Sequence, residues 1–167
     1  MKALWIVLAV AGALALQTTL ARFVGGTDAV DLVVVVVVYA SIVSGPVTGM
    51  LTGSAAGIVQ DALSGGVIGI GGLAKATVGF LCGVVAQQFV IAATLPRLVM
   101  FFAATLAHAV IFMGLYAVLD LRSYPSPWTS MGLQGIGNAV AGVVAFAVIE
   151  GVPRLAERRR VRRRSRL

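Results

Sequence analysis

The sequence has few of the side chains that carry chemistry. Its 167 residues include one cysteine, Cys82, and one histidine, His108, and only 11% of the residues are charged. A single cysteine forms no internal disulfide, and catalytic or metal sites that need several His or Cys residues are excluded by count. No cluster of acids, histidines and nucleophiles occurs along the chain. We therefore predict a protein that is not an enzyme and that holds no metal or cofactor.

Long polar stretches are also scarce, and this decides the class of protein. Hydrophobic residues make up 59% of the chain, which is more than a soluble domain of this length can bury. The apolar runs are continuous, whereas the strands of a membrane barrel alternate apolar and polar residues. Continuous runs indicate helices, because a helix satisfies its own backbone hydrogen bonds inside a bilayer. The predicted fold class is all-α integral membrane protein.

Six apolar segments are predicted to be transmembrane helices, since about 20 apolar residues cross the hydrocarbon core. The predicted spans are 3–20, 29–44, 47–60, 73–93, 98–119 and 132–149. The third is short for the hydrocarbon core, so that it is either inset among other helices or does not fully cross before the glycine-rich loop. We interpret the first as an uncleaved span rather than a signal peptide, because the chain after it is itself apolar. Glu150 and Pro153 are predicted to end the last span. The transmembrane domain is thus predicted to cover residues 1–153.

An arginine-rich tail, residues 154–167, follows this domain. Its eight arginines and one glutamate account for the whole net charge of +7. The positive-inside rule places the tail in the cytoplasm, and an even number of spans places the N-terminus there too. Such a tail attracts anionic lipid. No aromatic residue lies among the arginines to stack on bases, so we expect no nucleic-acid binding.

Small residues recur at every fourth position around the third span. Residues four apart share one face of a helix, and a face without side chains lets another helix approach closely. The stripe predicts close packing within the chain or docking of another protein. Glycine density over 64–72 favours a turn or short re-entrant loop, with an acid at its hinge. The candidate partner and packing residues are Gly45, Gly49, Gly53, Gly57, Asp61, Ser64, Gly65, Gly66 and Gly69.

Two ionisable residues near this stripe have alternative interpretations. Asp61 is predicted to cap the loop or to pair with Lys75 across it; the alternatives are contact with headgroups and water, and a transport or catalytic role. His108 is predicted to hydrogen-bond to a neighbouring helix, such as the one that carries Asn138 or Gln134, and the alternative is a proton relay.

The pattern Gly57-x-x-x-Asp61-x-x-Ser64-Gly65-Gly66-x-x-Gly69, in a small six-span protein, resembles the rod shape-determining protein MreD family. The resemblance implies a non-enzymatic scaffold of the bacterial inner membrane that serves cell elongation. It implies binding to MreC through membrane helices, and work with MreB and the cell-wall synthases that make peptidoglycan.

The resemblance also implies a fold similar to the substrate-binding subunits of energy-coupling-factor vitamin transporters. An alternative function is therefore that of such a subunit. A stripe formed by Ala9 and Ala13 favours this alternative, because it offers a docking face for a coupling subunit. The low aromatic content, 7%, argues against it, because a vitamin pocket needs polar and aromatic lining.

Overall fold

The structure, a computed structural model, describes residues 2–23, 30–89, 91, 93–120 and 128–164. All regular secondary structure in these residues is helical, which confirms the all-α class. The described helices are α1 (Lys2–Phe23), α2 (Leu32–Ser44), α3 (Pro46–Ser64), α4 (Ile70–Gln88), α5 (Thr94–Val118) and α6 (Trp128–Arg164).

Three helical segments of the described chain are long and apolar enough to cross a membrane: Ile70–Gln88, Thr94–Val118 and Met131–Ile149. Shorter apolar stretches, Ala3–Thr19 and Leu32–Ser44, lie in α1 and α2. Six helices are therefore confirmed within the described residues, whereas six crossings of the membrane stay a prediction.

Helix α2 lies at the centre of the bundle and contacts all five other helices. Its valine run, residues 33–38, supplies much of the core, and Val33 and Val38 are fully buried. Asp31 begins the helix, because its Oδ1 accepts hydrogen bonds from the backbone N–H groups of Val33 and Val34 at 3.0 and 3.1 Å. Six β-branched residues favour a strand in water, but the N-cap and the surrounding helices hold this segment helical.

The predicted loop between the third and fourth spans is wrong in its bounds. Helix α3 continues through Asp61 to Ser64, and α4 already begins at Ile70. Asp61 thus lies in the last turn of a helix rather than at a hinge. Gly71 and Gly72 are helical although glycine disfavours helices, because their backbone packs directly on α3. Tertiary contact outweighs intrinsic propensity at these two positions.

The predicted end of the sixth span needs a correction. The apolar segment ends at Ile149 as predicted, but α6 continues past Glu150 and Pro153 to Arg164. Proline lacks one N–H donor, and the rest of the hydrogen-bond ladder carries the helix on. Helix α4 ends at Gln88, earlier than predicted. Residues 24–29 and 121–127 and the tail residues 165–167 lie outside the described residues.

Candidate functional site

The glycine stripe of α3 lies against α4. A methyl group added to Gly57 would lie 2.6 Å from the carbonyl oxygen of Gly71. One added to Gly53 would collide with the carbonyl group of Lys75, and one added to Gly49 would lie 2.6 Å from the carbonyl oxygen of Gly79. The two helix backbones therefore touch along about two turns, which only glycine permits.

Helix α4 carries a matching stripe that the sequence analysis missed. Gly79 packs on the backbone of Gly49, and Gly83 packs on Pro46 at the start of α3. Together with Gly71 and Lys75, these glycines follow a step of four residues along α4. The sequence signal for this second stripe is the same spacing of four residues, which Lys75 interrupts.

The remaining candidate glycines serve the turns at the two ends of this hairpin. Gly45, Gly65 and Gly69 have φ angles of +90°, +68° and +105°, a region that side chains disfavour. Ser64 Oγ donates a hydrogen bond of 2.6 Å to the carbonyl oxygen of Gln60. Gly66 is exposed. The structure thus brings the candidate residues together in the α3–α4 hairpin, and their binding to a partner protein stays a prediction.

Asp61 binds the start of α4. Its Oδ2 accepts hydrogen bonds from the backbone N–H groups of Gly69, Gly71 and Gly72, at 2.9, 3.0 and 3.4 Å. A helix begins with N–H groups that have no partner within the helix, and a carboxylate there also complements the helix dipole. Of the alternatives considered for Asp61, the geometry matches the loop cap.

Lys75 pairs with Asp31 and not with Asp61. Its Nζ lies 3.2 Å from Asp31 Oδ2, and both side chains are buried. Asp61 is nearer in the sequence, but the fold brings the start of α2 beside α4. The signal for Asp31 was present: an acid directly before an apolar run is typical of an N-cap, and a buried lysine needs an acid.

Around this ion pair lies a set of five buried side chains, which we call the polar cluster: Asp31, Lys75, Thr105, His108 and Asn138. His108 Nε2 is 3.1 Å from Lys75 Nζ. Asn138 Oδ1 accepts from the backbone N–H of Asp31 at 2.8 Å, and its Nδ2 donates to Thr105 Oγ1 at 3.0 Å. His108 therefore bonds to a neighbouring helix as predicted, but that helix is α4 and not the one that carries Asn138 and Gln134. The cluster joins α4, α5 and α6 to the start of α2.

A surface depression lies between α5 and α6. It is a groove of about 330 Å³ that faces outward, and its lining is apolar: Leu98, Val99, Phe102, Ala103, Ile136, Ala139 and Val140. Within the described residues, no three His, Cys, Asp or Glu side chains are placed to hold a metal ion. The groove offers contact to apolar chains rather than to a polar ligand.

An apolar exterior, an inward-facing polar cluster and helices long enough to cross a bilayer define a helical membrane protein. A model of the rod shape-determining protein MreD family matches residues 2–136, so the chain belongs to that family. The match includes the α3–α4 hairpin and four members of the polar cluster. No curated protein and no solved structure matches the chain. The expected similarity to energy-coupling-factor subunits therefore stays a prediction.

Proposed function

We propose that the chain is a non-enzymatic scaffold of the bacterial inner membrane that binds MreC through its membrane helices and supports peptidoglycan synthesis during cell elongation. The observation that carries the proposal is the family match over residues 2–136, because the family determines rod shape. MreB and the cell-wall synthases are the further partners that this function requires.

The distribution of polar groups supports a scaffold. Asp31, Lys75 and Asn138 satisfy one another inside the bundle, whereas the outward faces carry apolar side chains such as Leu51 and Leu133. A surface of this kind contacts lipid tails and the helices of other membrane proteins.

The glycine stripe supports partner binding through the fold it creates. Gly53 and Gly57 are covered by α4, and Gly49 is covered by α4 and by Ser41 of α2. A partner reaches these glycines only if the covering helices move away. Gly65 and Gly66, by contrast, are exposed at the end of the hairpin. We propose that the stripe sets the shape of the hairpin and that MreC contacts its outward surface.

The transporter alternative has less support. Ala13 is buried against α2, so the α1 stripe formed with Ala9 is half covered. The groove between α5 and α6 has only apolar lining, which suits a vitamin poorly.

The arginine tail completes the proposal. Residues 154–164 continue α6 as a helix, and the positive-inside rule places them, with both termini, in the cytoplasm. We propose that they bind anionic lipid and no nucleic acid.

Affinity purification of the tagged chain from native membranes in mild detergent, followed by mass spectrometry, tests the proposal. Recovery of MreC and a cell-wall synthase is the expected result. Recovery of an ATPase pair with a coupling subunit would establish the transporter alternative, and recovery of neither set would refute partner binding.

Two variants provide a matched control for this experiment. Gly57→Leu forces a bulky side chain against the backbone of α4. Gly114→Leu adds the same side chain at a position where no atom lies within 4 Å of the added Cβ. We expect Gly114→Leu to retain MreC and Gly57→Leu to lose it. Equal recovery by both would show that the shape of the hairpin does not matter for binding.

A further inference from the structure

The polar cluster contains a group that the scaffold function does not use. His108 is the only histidine of the chain, and it is buried on α5 with its Nε2 facing Lys75 on α4. Histidine is the side chain that ordinarily gains or loses a proton near neutral pH. Its position at the junction of two helices links that proton to the contact between them.

The hydrogen bond to Lys75 determines which ring nitrogen of His108 carries the proton. A lysine ammonium group has only donors, so His108 Nε2 must accept, and the ring proton lies on Nδ1. Lys75 also donates to Asp31 Oδ2, while Asp31 Oδ1 accepts from the N–H groups of Val33 and Val34. The cluster then holds one positive and one negative charge.

A proton added at Nε2 removes the acceptor and sets two cations 3.1 Å apart, with one carboxylate beside Lys75. The charged groups that face His108 are Lys75 from α4 and Asp31 from the start of α2. Helix α6 contributes the neutral Asn138 to the cluster, and the carboxylate of Asp61 at the end of α3 is held by the amides of α4. We propose that His108 is a proton-binding site, which holds α5 on α4 when neutral and releases it when protonated.

The packing around α4 and around α5 indicates which of the two helices moves. Helix α4 is fixed to α3 by contact between backbones, whereas α4 and α5 share a cluster of buried side chains that includes Val78 and Met100. Protonation therefore moves α5 away from α4. This inference concerns the bundle alone and does not rest on the binding of MreC.

The first test is nuclear magnetic resonance of the full chain in lipid nanodiscs with ¹⁵N-labelled histidine, where the one histidine gives one pair of ring signals. At about pH 8 we expect a protonated Nδ1 and an unprotonated Nε2, and on acidification we expect both nitrogens to become protonated. A proton on Nε2 at the higher pH, or a ring that does not titrate, would overturn the proposal.

The second test measures movement. Spin labels at Leu73→Cys on α4 and Gly114→Cys on α5, both exposed positions, are placed in a Cys82→Ala background. We expect the distance between the labels to increase on acidification, and not to change in His108→Gln, whose amide oxygen still accepts from Lys75 without titrating. An unchanged distance in the parent chain, or the same change in His108→Gln, would refute the release of α5.

Discussion

The two helix pairs α3–α4 and α5–α6 both use glycine, but they use it differently. In α3–α4, glycines let one backbone lie against another, as where Gly57 meets Gly71. In α5–α6, glycines receive aromatic rings: Phe102 covers Gly135 and Phe101 covers Gly142. A backbone cannot move aside without moving its helix, whereas a ring can turn about its own bonds. The comparison indicates one rigid pair and one adjustable pair.

The valine-rich α2 and the polar cluster join the two pairs. Val34 and Val38 belong to the apolar core that includes Phe101 and Phe146 of the adjustable pair. Asp31 binds Lys75 of the rigid pair and Asn138 of the adjustable pair. The two pairs are therefore connected through α2 and through the polar cluster.

The largest loss of stability is expected from substitutions that add a large side chain between α3 and α4. Gly53→Leu and Gly57→Leu each force a side chain into the backbone of α4 and should destabilise the protein by about 3 kcal/mol or more, at the upper end of overpacking costs. Thermal unfolding in detergent and the amount of protein in the membrane measure this loss.

Gly114→Leu on α5 is the matched control for bulk, because that position faces open space. It should leave the unfolding midpoint close to that of the parent chain. Parent-like stability of Gly53→Leu and Gly57→Leu would show that α3 and α4 are not packed as described.

A second effect concerns the carboxylate that binds α4. Asp61→Ala leaves the N–H groups of Gly69, Gly71 and Gly72 without an acceptor and should cost about 2 kcal/mol. Asp61→Asn keeps one oxygen acceptor and should lose less. The unfolding midpoints of the two variants and the cell shape they support are the measurements.

Ser64→Ala controls for the prediction about Asp61, because the exposed hydroxyl of Ser64 bonds within its own helix turn. It should cost little. If Asp61→Ala unfolds like Ser64→Ala and supports normal rods, the cap contributes neither stability nor function.

Much of the rigid pair could be predicted from the sequence, because glycines spaced four residues apart mark its contact face. Gly49, Gly53 and Gly57 identify the contact face without any knowledge of the partner helix. The cap was among the alternatives for Asp61, since that acid adjoins the glycine-rich turn. The length of the loop could not be predicted from local sequence, because the helical state of Gly71 depends on packing against another helix.

The polar cluster could be predicted only in part. Lys75 and His108 stand out as polar residues in apolar spans, but their partners come from distant parts of the chain. Asp31 lies 44 positions before Lys75, and only the placement of α2 beside α4 joins them. The spacing of residues along one helix carries no information of this kind.

A third prediction compares the two pairs through the same added methyl group. Gly57→Ala sets that methyl 2.6 Å from a backbone oxygen, whereas Gly135→Ala sets it 2.8 Å from the ring of Phe102, which borders the outward groove. The ring can turn toward the groove. We expect Gly57→Ala to cost about 1 kcal/mol more than Gly135→Ala.

Unfolding midpoints of these two alanine variants, measured in the same detergent, decide the comparison between the pairs. Gly132→Ala on α6, where nothing lies within 4 Å, controls for the effect of alanine itself. A larger loss for Gly135→Ala than for Gly57→Ala would reverse the assignment of the rigid and the adjustable pair.

The smallest effect is expected where the hairpin turn touches the adjustable pair. The backbone N–H of Val67 donates to Tyr116 Oη on α5 across 3.5 Å, a long hydrogen bond. Tyr116→Phe keeps the ring stacked near Phe112 and should cost about 0.5 kcal/mol. Hydrogen exchange at the Val67 amide should nevertheless become faster. Unchanged exchange would mean that the turn depends on α3 and α4 alone, and a loss as large as that of Asp61→Ala would mean that α5 supports the rigid pair.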